Sequence, residues 1–279
     1  MARQTSDFFV ERLKAWGVTR IYGYSGDGIN GVLGALQRDK GSPDAIEFIQ
    51  VRHEEMAAFM ASAHAKFTGE LGVCLSTGGP GATHLITGLY DAKSDHVPVL
   101  AIAGQAEVTV RGASYQQELN LDRMFADVAD YVQEVGAPAQ VRHVTDRAIR
   151  VATARCGVGV VILPKDVQDM PYEEPKQAHG FTRSGTGYAH PIVVPQPADL
   201  ARAAEVLNAG AKVAILIGAG ARGASAVVTE VADLLAARHP ELGRVLTRCS
   251  FLLDEVAVRD VGAPASGAML DVLPPFAGG

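Results

Sequence analysis

Three short stretches of the sequence carry residue types that could bind a ligand or move a proton. They combine aspartate, glutamate and histidine side chains with glycine turns. These stretches are YGYSGDGIN at residues 22–30, RHEE at residues 52–55 and STGGPGATH at residues 76–84. Each of them also has a plain structural explanation, so the chemistry has to be weighed against turns and helix caps.

The Gly26-Asp27-Gly28 turn is of the kind that holds a magnesium ion on a diphosphate. For that purpose the Asp27 carboxylate needs a second oxygen ligand to help complete the octahedron around the ion. Asn30 lies too close along the chain to serve, because the asparagine of such sites follows an intervening helix. Glycine and aspartate both favour turns. We therefore predict that Asp27 lies in a tight turn without a metal and that Asn30 caps the next helix.

Glu54 and Glu55 stand where a strand gives way to a helix. An acidic side chain in the first turn of a helix gains about 0.3–1 kcal/mol from the helix dipole, which by itself explains both residues. The segment TGGPG at residues 77–81 offers backbone N–H groups at the start of another helix. It lacks the lysine of a nucleotide-binding P-loop, so alone it is weak evidence for a phosphate site.

The overall composition limits the classes of protein to which the chain can belong. It has 279 residues, of which 48% are hydrophobic and 20% charged, so it can bury a substantial core. A formal charge of -6 without a basic stripe argues against a nucleic-acid partner. The cysteines Cys74, Cys156 and Cys249 are far apart, which predicts neither disulfides nor a zinc site. No signal segment or membrane-spanning apolar run is evident, so we expect a cytoplasmic protein.

Patterns of strand and helix length alternate along residues 1–165. Six segments read as strands, and helical patterns separate them. These segments are VTRIYGY, AIEFIQV, LGVCLS, VPVLAIAG, DYVQEV and GVVILP. The alternation predicts a doubly wound α/β fold, with a mostly parallel six-stranded sheet and helices on both faces. Such sheets bind ligands in the loops at the carboxyl ends of their strands.

Shifts in composition divide the chain into four segments. Residues 1–165 are predicted to form the first domain, and the proline- and glycine-rich residues 166–197 an interdomain linker. Residues 198–237 restart the alternation and predict part of a second Rossmann-like α/β domain. Residues 238–279 show no clear rhythm, which leaves two interpretations open: a poorly packed terminus, or a coding sequence that is truncated or frameshifted.

Taken in order, four stretches resemble the thiamine-diphosphate-dependent enzymes. They are YGYSGDGINGVLGAL, FIQVRHEEMAAFMASAHAKFTGELGVC, STGGPGATHLITGLYDAKSDHVPVLAIAGQ and SYQQELNLDRMF. The sequence is similar to the N-terminal, pyrimidine-binding domain of the pyruvate oxidase and quinone-linked pyruvate dehydrogenase branch, which is related to acetolactate synthase. The resemblance covers roughly residues 4–235, and the combined spacing of its RHE and GPG motifs makes it specific.

The resemblance implies decarboxylation of a 2-oxo acid, first of all pyruvate, with electrons passing through FAD to oxygen or a quinone. Thiamine diphosphate supplies the covalent electron sink for that reaction. By resemblance Glu54 is the catalytic residue, since its carboxyl group would share a proton with the pyrimidine N1′ of the cofactor. Burial disfavours the charged form of a carboxyl group. We therefore expect Glu54 in a dry pocket with apolar neighbours such as Met56, Ala57 and Ala58.

The same resemblance assigns cofactor-binding roles to residues in the two glycine turns. Ser25 stands where the family commonly has proline, and His84 where the synthases commonly have asparagine. His53 is expected to be structural, and Glu55 to lie on the solvated face of its helix. Besides Glu54, the residues implied beside the pyrimidine are Tyr24, Ser25, Gly26, Thr77, Pro80, Gly81 and His84.

Two further assignments lie outside these turns. Tyr115-Gln116 matches a Phe-Gln pair that in the family reaches the substrate from the neighbouring subunit's side, although a solvated loop explains it equally well. Gly218, Gly220 and Gly223 form a GxGxxG pattern between a strand and a helix. No acidic residue follows where the nicotinamide-dinucleotide fingerprint requires one. The resembled oxidases hold FAD in this domain, so FAD is the better expectation.

The family's diphosphate-binding domain, with its own Gly-Asp-Gly magnesium motif, has no counterpart in this sequence. The resemblance therefore implies that the chain supplies half of an active site for a small 2-oxo acid and that Mg2+ binds through the other half. We expect a homo-oligomer or a partner chain that carries that half, with membrane contact only through other regions. Three alternatives stay open: an acetolactate-synthase-like carboligase, a nicotinamide-binding oxidoreductase and a non-catalytic partner subunit.

Overall fold

The computed structural model of the protein describes most of the chain, in six stretches. Its contacts divide the chain into two units, Met1–Pro191 and Ile192–Gly279, and the described residues of each unit form one sheet. The residues described are 3–176, 182–210, 219–238, 250–253, 256–258 and 270–273.

The first unit alternates strands with helices along its whole length, and each of the six strand segments predicted from the sequence overlaps one of its strands. A short 3-10 helix, Asp27–Ile29, precedes the second α-helix. The elements in chain order are α1 Thr5–Ala15, β1 Arg20–Gly23, α2 Asn30–Asp39, β2 Glu47–Gln50, α3 Glu54–Thr68, β3 Gly72–Ser76, α4 Pro80–His84, α5 Ile86–Ser94, β4 Val99–Gln105, α6 Leu121–Phe125, β5 Tyr131–Glu134, α7 Val141–Arg155, β6 Val158–Pro164 and α8 Lys165–Asp169.

The six strands form one sheet in the order β2-β1-β3-β4-β6-β5, and every neighbouring pair is parallel. The register pairs Tyr22 of β1 with Cys74 of β3, and Cys74 with Ala101 of β4. Helices connect the strands because a parallel pair needs a long crossover. The predicted six-stranded α/β sheet is therefore confirmed, and it is wholly parallel rather than mostly parallel.

Side chains on the two faces of the sheet build two separate cores. Successive residues of a strand point to opposite faces, so Val73 and Leu75 belong to one core while Cys74 belongs to the other. Apolar residues of α1, α2 and α7 complete the first core, and those of α3, α5 and α6 complete the second. Helices thus cover both faces, which explains why the central strands β3, β4 and β6 read as continuous apolar runs.

Two glycines let α3 lie unusually close to its neighbours. A Cβ on Gly72 of β3 would lie 2.0 Å from the carbonyl oxygen of Ala61, and a Cβ on Gly88 of α5 would lie 2.6 Å from the Cβ of Ala58. Neither distance is possible for a real side chain, so both positions require glycine. The small residues therefore fix how α3 sits on β3 and α5, and with it the position of its first residue, Glu54.

The order of the strands changes direction at β1: β2 lies on one side of β1, and β3 lies on the other. From β1 the chain passes to α2, whose residues Val32 and Leu36 pack in the first core. From β3 it passes to α4 and α5, whose residues Ala82 and Leu89 pack in the second core. The connections that follow two adjacent strands therefore leave toward opposite faces. Such a switch point opens a crevice at the carboxyl ends of the strands, where sheets of this kind bind ligands.

Part of the segment predicted as a linker packs on the first unit instead. Val167 and Gln168 of α8 are buried, and the ring of Tyr172 stacks on that of Phe8 with centroids 3.8 Å apart. This burial has no signal in the sequence, because α8 is a single short helix between turn-forming residues. The domain boundaries themselves stay a prediction.

The second unit is described in part. Its elements are α9 Pro197–Ala209, a 3-10 helix Ala219–Ala224, α10 Ser225–Arg238, and the strands β7 Ser250–Leu253, β8 Val256–Val258 and β9 Leu270–Leu273. The three strands form an antiparallel sheet in the order β8-β7-β9, within a segment where the sequence shows no clear pattern. The predicted strand at residues 211–218 lies outside the described residues. None of the described helices is long and apolar enough to cross a membrane.

Candidate functional site

Three loops meet at the carboxyl edge of the sheet, because β2, β1 and β3 are adjacent and parallel. We call residues 24–28, which follow β1, the β1 turn, and residues 77–81, which follow β3, the β3 turn. Residues 51–53 follow β2 and lead into α3. The three stretches that the sequence marked for chemistry therefore lie side by side at the switch point.

The β1 turn and the β3 turn pack directly against each other. The Gly28 N–H donates to Oγ1 of Thr77 over 3.1 Å. A Cβ on Gly26 would lie 2.6 Å from the Cβ of Thr77, and a Cβ on Gly28 would lie 2.8 Å from its Oγ1. Thr77 thus occupies the space that side chains at Gly26 and Gly28 would need, which explains the glycines of the GDG motif without a metal.

Glu54 is the first residue of α3, and its side chain turns toward the β3 turn. The residue is only 9% exposed. Its Oε2 lies 2.9 Å from Nδ1 of His84, at the end of α4. Its Oε1 lies 3.3 Å from the position of a Cβ on Gly81. The structure therefore brings Gly26, Thr77, Gly81, His84 and Glu54 into one connected group.

Two histidines stand next to the Glu54 carboxyl group. The rings of His53 and His84 are stacked, with centroids 4.4 Å apart and an interplanar angle of 29°. Nδ1 of His53 accepts the N–H of Glu55 over 3.3 Å and so caps α3. This cap is the structural role expected for His53, but its contact with His84 links residues 31 positions apart and has no signal in the sequence.

A buried hydroxyl group without a partner lies in the same group. Ser76 is fully buried at the end of β3, and its Oγ has no hydrogen-bond partner among the described residues. Its Cβ lies 3.6 Å from the position of a Cβ on Gly81. An unpaired buried hydroxyl costs about 1–3 kcal/mol, so a polar ligand or a water at this turn would relieve it. Nothing in the sequence distinguishes Ser76, since a serine at the end of a strand is unremarkable.

The neighbours of Glu54 differ in part from the expectation. Ala57 and Ala58 are fully buried, but Met56 is 49% exposed and does not line a dry pocket. The reason is helical geometry: side chains two residues apart on a helix do not face each other, whereas those three or four apart do. Glu55, expected on the solvated face of α3, is half-buried.

Asp27 makes contacts that belong to a turn. Its Oδ2 lies 2.7 Å from Nζ of Lys165, and its Oδ1 accepts Nδ2–H of Asn30 over 2.9 Å. The hydrogen bond to Asp27 raises the pKa of Lys165. The expected cap is wrong, since α2 begins at Asn30 itself and its N-cap is Ile29. The helix starts earlier because the 3-10 helix Asp27–Ile29 runs directly into α2.

Three other residues assigned to the pyrimidine lie at the rim of the crevice. Tyr24 and Ser25 follow β1 and are exposed, as is Pro80, the first residue of α4. The Tyr24 N–H donates to the carbonyl oxygen of Leu75 over 3.4 Å, which holds the start of the β1 turn beside β3. Their contact with a cofactor stays a prediction.

Tyr115 and Gln116 are both exposed, in a loop of residues 111–119 that borders a cavity of about 420 Å³. A Cβ on Gly79 would lie 2.7 Å from the Cβ of Gln117, so this loop touches the β3 turn. Gln105, the last residue of β4, donates from Nε2 to the carbonyl oxygen of Leu119 over 2.9 Å. The loop is therefore tied to the sheet and to the candidate site.

Glu118 organises the same loop from within. Its carboxylate accepts the N–H groups of Gly112 and Tyr115, over 2.6 and 3.1 Å. These bonds, that of Gly112 first, lower the pKa of Glu118. The role of Glu118 could not be predicted from the sequence. A glutamate that accepts hydrogen bonds from the backbone of its own loop has no sequence pattern that distinguishes it from other charged loop residues.

The dinucleotide pattern is described in part. Gly220 and Gly223 lie in the 3-10 helix Ala219–Ala224, which leads directly into α10. Gly218 lies outside the described residues. A glycine-rich turn before a helix is the local arrangement in which backbone N–H groups can face phosphate groups.

Comparisons with known proteins point to one family. The family described as "Thiamine pyrophosphate enzyme, N-terminal TPP binding domain" matches residues 3–124. Pyruvate oxidase of Lactiplantibacillus plantarum is 41% identical over 230 residues, which are 81% of this chain and 36% of that protein. Acetolactate synthase of Arthrospira platensis is 31% identical over 227 residues, which are 80% of this chain and 39% of that protein.

A third relative is an uncharacterized 42.6 kDa protein of Pseudomonas amyloderamosa, which is 40% identical over 234 residues, 84% of this chain and 57% of that protein. The chain thus spans between 36% and 57% of the length of these three relatives. The matched residues 3–124 contain Glu54, both glycine turns and the loop of Tyr115. Residues 3–124 therefore match the N-terminal domain of this family, and the chain belongs to the thiamine pyrophosphate enzyme family.

Proposed function

We propose that the crevice between the β1 turn and the β3 turn binds the pyrimidine ring of thiamine diphosphate, with Glu54 as the group that exchanges a proton with it. The burial of Glu54 carries this proposal: the residue is 9% exposed and its carboxyl group lies at Gly81. A carboxyl group that is shielded from water can serve a ring nitrogen as a proton donor and acceptor. A residue on an open helix surface could not do so.

The residues of the crevice fit such a ring in two further respects. Glycines at positions 78, 79 and 81 let Gly104, Gln117 and Thr77 pack against the backbone of the β3 turn, so the wall beside Glu54 is held in one fixed shape. Ser76 has a buried hydroxyl group whose hydrogen bond is unmet among the described residues. A polar ring substituent would supply the missing partner.

The protein groups then have separate tasks. Thiamine diphosphate, when bound, supplies the nucleophilic carbon and the electron sink for the decarboxylation of a 2-oxo acid. Glu54 holds the exchangeable proton, and His84 fixes the orientation of its carboxyl group through the 2.9 Å contact. Thr77 keeps the β1 turn and the β3 turn at a constant distance. Tyr115 and Gln116 are proposed to contact the substrate from their loop.

Pyruvate is the proposed substrate, and electrons are proposed to pass through FAD to oxygen or a quinone. The relative from Lactiplantibacillus plantarum, a pyruvate oxidase, supports this choice because it is 41% identical over 81% of the chain. Gly220 and Gly223, at the start of α10, support a dinucleotide cofactor in the second unit. A flavin absorption spectrum in the purified protein, rather than NADH binding, is the expected result.

Carboligation is the second candidate, because an acetolactate synthase is 31% identical over 80% of the chain. Both reactions begin with the same decarboxylation, so the crevice alone does not separate them. They differ in their products. An oxidase reduces an electron acceptor for each pyruvate consumed, whereas a synthase joins two pyruvate molecules and reduces none.

The other half of the site is proposed to come from a second polypeptide segment that binds the diphosphate and Mg2+. That segment is proposed to belong to a chain that carries the diphosphate-binding domain, and the complex is proposed to be cytoplasmic. Alone, the 279 residues should bind thiamine diphosphate weakly and turn over no pyruvate. Calorimetry showing micromolar, magnesium-dependent binding to the chain alone would contradict the division of the site.

Activity is best tested on the complex of this chain with the segment that supplies the diphosphate-binding half. We expect pyruvate-dependent reduction of ferricyanide that requires thiamine diphosphate and Mg2+. Glu54→Gln should lower the turnover by at least about a hundredfold, in the range typical for loss of an acid–base group. Undiminished turnover in that variant would refute the role of Glu54. Formation of acetolactate without reduction of the acceptor would favour the carboligase.

A further inference from the structure

We infer that His53, Glu54 and His84 form a site for a divalent transition-metal ion of the zinc class. One nitrogen of each histidine and one carboxylate oxygen lie within 4.8 Å of one another. The three side chains come from two elements that the fold holds together: His53 caps α3, Glu54 is its first residue, and His84 ends α4. The close approach is therefore a property of the crevice and not of one flexible segment.

The ligand types select the class of metal. Two imidazole nitrogens with one carboxylate oxygen suit Zn2+, Co2+, Ni2+ or Cu2+, whereas Mg2+ and Ca2+ take oxygen ligands. A site with three protein ligands also leaves a fourth position open, as in zinc sites that bind water. These ligands differ from the oxygen ligands that Mg2+ would take at the diphosphate. Zn2+ is therefore the ion proposed for this site.

The observed separations are close to those that the ion needs. Ligand atoms about 2.0–2.2 Å from a tetrahedral Zn2+ lie about 3.4 Å from each other. His84 Nδ1 and Glu54 Oε2 are 2.9 Å apart, and no pair in the set exceeds 4.8 Å. Glu54 is buried and fixed, while the His84 side chain is 42% exposed. Small rotations of the two exposed imidazole rings would therefore bring their nitrogens to bonding distance from an ion on Glu54.

Metal binding would remove the hydrogen bond by which His53 caps α3. At present Nδ1 of His53 accepts the N–H of Glu55. A neutral imidazole has one lone pair, so a metal on either nitrogen removes this acceptor: the lone pair of Nδ1 is used, or Nδ1 carries the proton. Metal binding therefore breaks this hydrogen bond. The Glu55 amide consequently reports on the occupancy of the site.

A metal ion on Glu54 would also block the pyrimidine. An ion bound to the carboxylate takes the lone pairs that would otherwise hold a proton for the ring. Zinc and thiamine diphosphate would then exclude each other from the crevice. This consequence rests on the proposed function, whereas the metal site itself does not.

The inference is tested by titrating the chain with ZnCl2 in a calorimeter. We expect one equivalent to bind at this site, and His53→Ala, His84→Ala and Glu54→Gln each to weaken it by at least about tenfold, since even the loss of an outer partner costs 10- to 100-fold. His190→Ala is the matched control, because His190 is exposed and outside the set. Its binding should equal that of the original chain. Unchanged affinity in any of the three variants overturns the three-ligand site.

A second measurement needs no variant. In an amide NMR titration, the Glu55 resonance should shift and its hydrogen exchange should quicken as one equivalent of Zn2+ binds. An unaffected Glu55 amide at full occupancy also overturns the site. Failure of zinc binding leaves the pyrimidine proposal intact, since that proposal is read from ligand-induced shifts in the glycine turns. Likewise, if the pyrimidine does not bind, the expected result of the zinc titration stays the same.

Discussion

Glu54 owes its place in the crevice to residues that are distant in sequence. His84 holds one carboxyl oxygen at 2.9 Å, and Gly81 leaves room for the other. His53 sets the first turn of α3 through its cap. The motif RHEE could suggest a helix start and, by resemblance, a catalytic glutamate. It could not reveal the pair of histidines, because that pair exists only once α4 packs beside α3.

Glu118 is the residue that holds the Tyr115 loop in shape, and its charge is therefore tied to the order of the loop. Hydrogen bonds from the backbone, Gly112 first, lower its pKa. A group whose pKa is lower in the folded state stabilises that state above its usual pKa, about 4.3 for glutamate. The stabilisation is lost as the pH falls through the lowered pKa.

Glu118→Ala should loosen this loop with little effect on global stability. Two backbone N–H groups lose their acceptor, so the amides of residues 112–118 should exchange several-fold faster at pH 7 than in the original chain. Hydrogen exchange read by mass spectrometry measures this, and Glu173→Ala, at an exposed position outside the loop, is the control. The difference between Glu118→Ala and the original chain should narrow well below pH about 4. Equal exchange at pH 7 would contradict the role of Glu118.

At the scale of secondary-structure elements, two glycines determine how closely α3 packs on its neighbours. Gly72 lets α3 approach β3, and Gly88 lets it approach α5. Because Glu54 and Ala58 lie on the same helix, a shift of α3 moves the proposed catalytic carboxyl group. The position of the site therefore follows from the packing of elements as much as from the motif.

Gly88→Ala should destabilise the first unit by about 1–3 kcal/mol, the usual cost of overpacking a core. The added Cβ would meet the Cβ of Ala58 and the amide nitrogen of Phe59, each at 2.6 Å. Gly34→Ala in α2 is the matched control, because its Cβ would meet only the movable Arg38 side chain, and alanine favours a helix by about 1 kcal/mol. Urea unfolding followed by the fluorescence of Trp16, the only tryptophan, measures both. Equal stabilities for the two variants would show that the contact of α3 with α5 is not tight.

At the scale of the whole first unit, a buried ion pair joins its first and last long helices. Asp146 of α7 accepts from Nε and Nη2 of Arg12 in α1, over 2.6 and 2.7 Å, and from Nε1 of Trp16 over 2.8 Å. Burial acts to raise the pKa of Asp146, but the hydrogen bonds from Arg12, Ser184 and Trp16 outweigh it, and the pKa is lowered. The pair contributes stability above the usual aspartate pKa of about 3.9 and loses it as the pH falls through the lowered pKa.

Asp146→Asn should cost about 3–5 kcal/mol at pH 7, because it leaves the Arg12 guanidinium without its buried counter-charge. The same urea experiment measures this loss, and repeating it near pH about 3 should shrink the gap to the original chain. Glu47→Gln is the control, since its pair with Arg20 is exposed and such pairs are worth about 0–1 kcal/mol. A loss no larger than that of the control would mean that the helices are held by apolar packing alone.

The sequence predicted the sheet well because β3, β4 and β6 are buried along their whole length and read as short apolar runs. It also predicted that the three marked stretches follow strands, and the structure brings them to one edge of the sheet because β2, β1 and β3 are adjacent and parallel. It was wrong about Met56, which helical geometry turns away from Glu54, and about Asn30, whose helix starts one residue early. Contacts across the fold, such as His84 with Glu54, had no periodic signal and could come only from the structure.

The central claim is that the pyrimidine ring binds at Glu54. Amide NMR on the chain tests this claim most directly. The hydroxymethylpyrimidine half of thiamine, added up to its solubility limit, should shift the resonances of Gly26, Glu54 and Gly81, while inorganic diphosphate should not. Glu54→Gln should abolish most of these shifts and keep the fold. Shifts that persist unchanged in Glu54→Gln, or a ligand that leaves both glycine turns undisturbed, would contradict the proposed site.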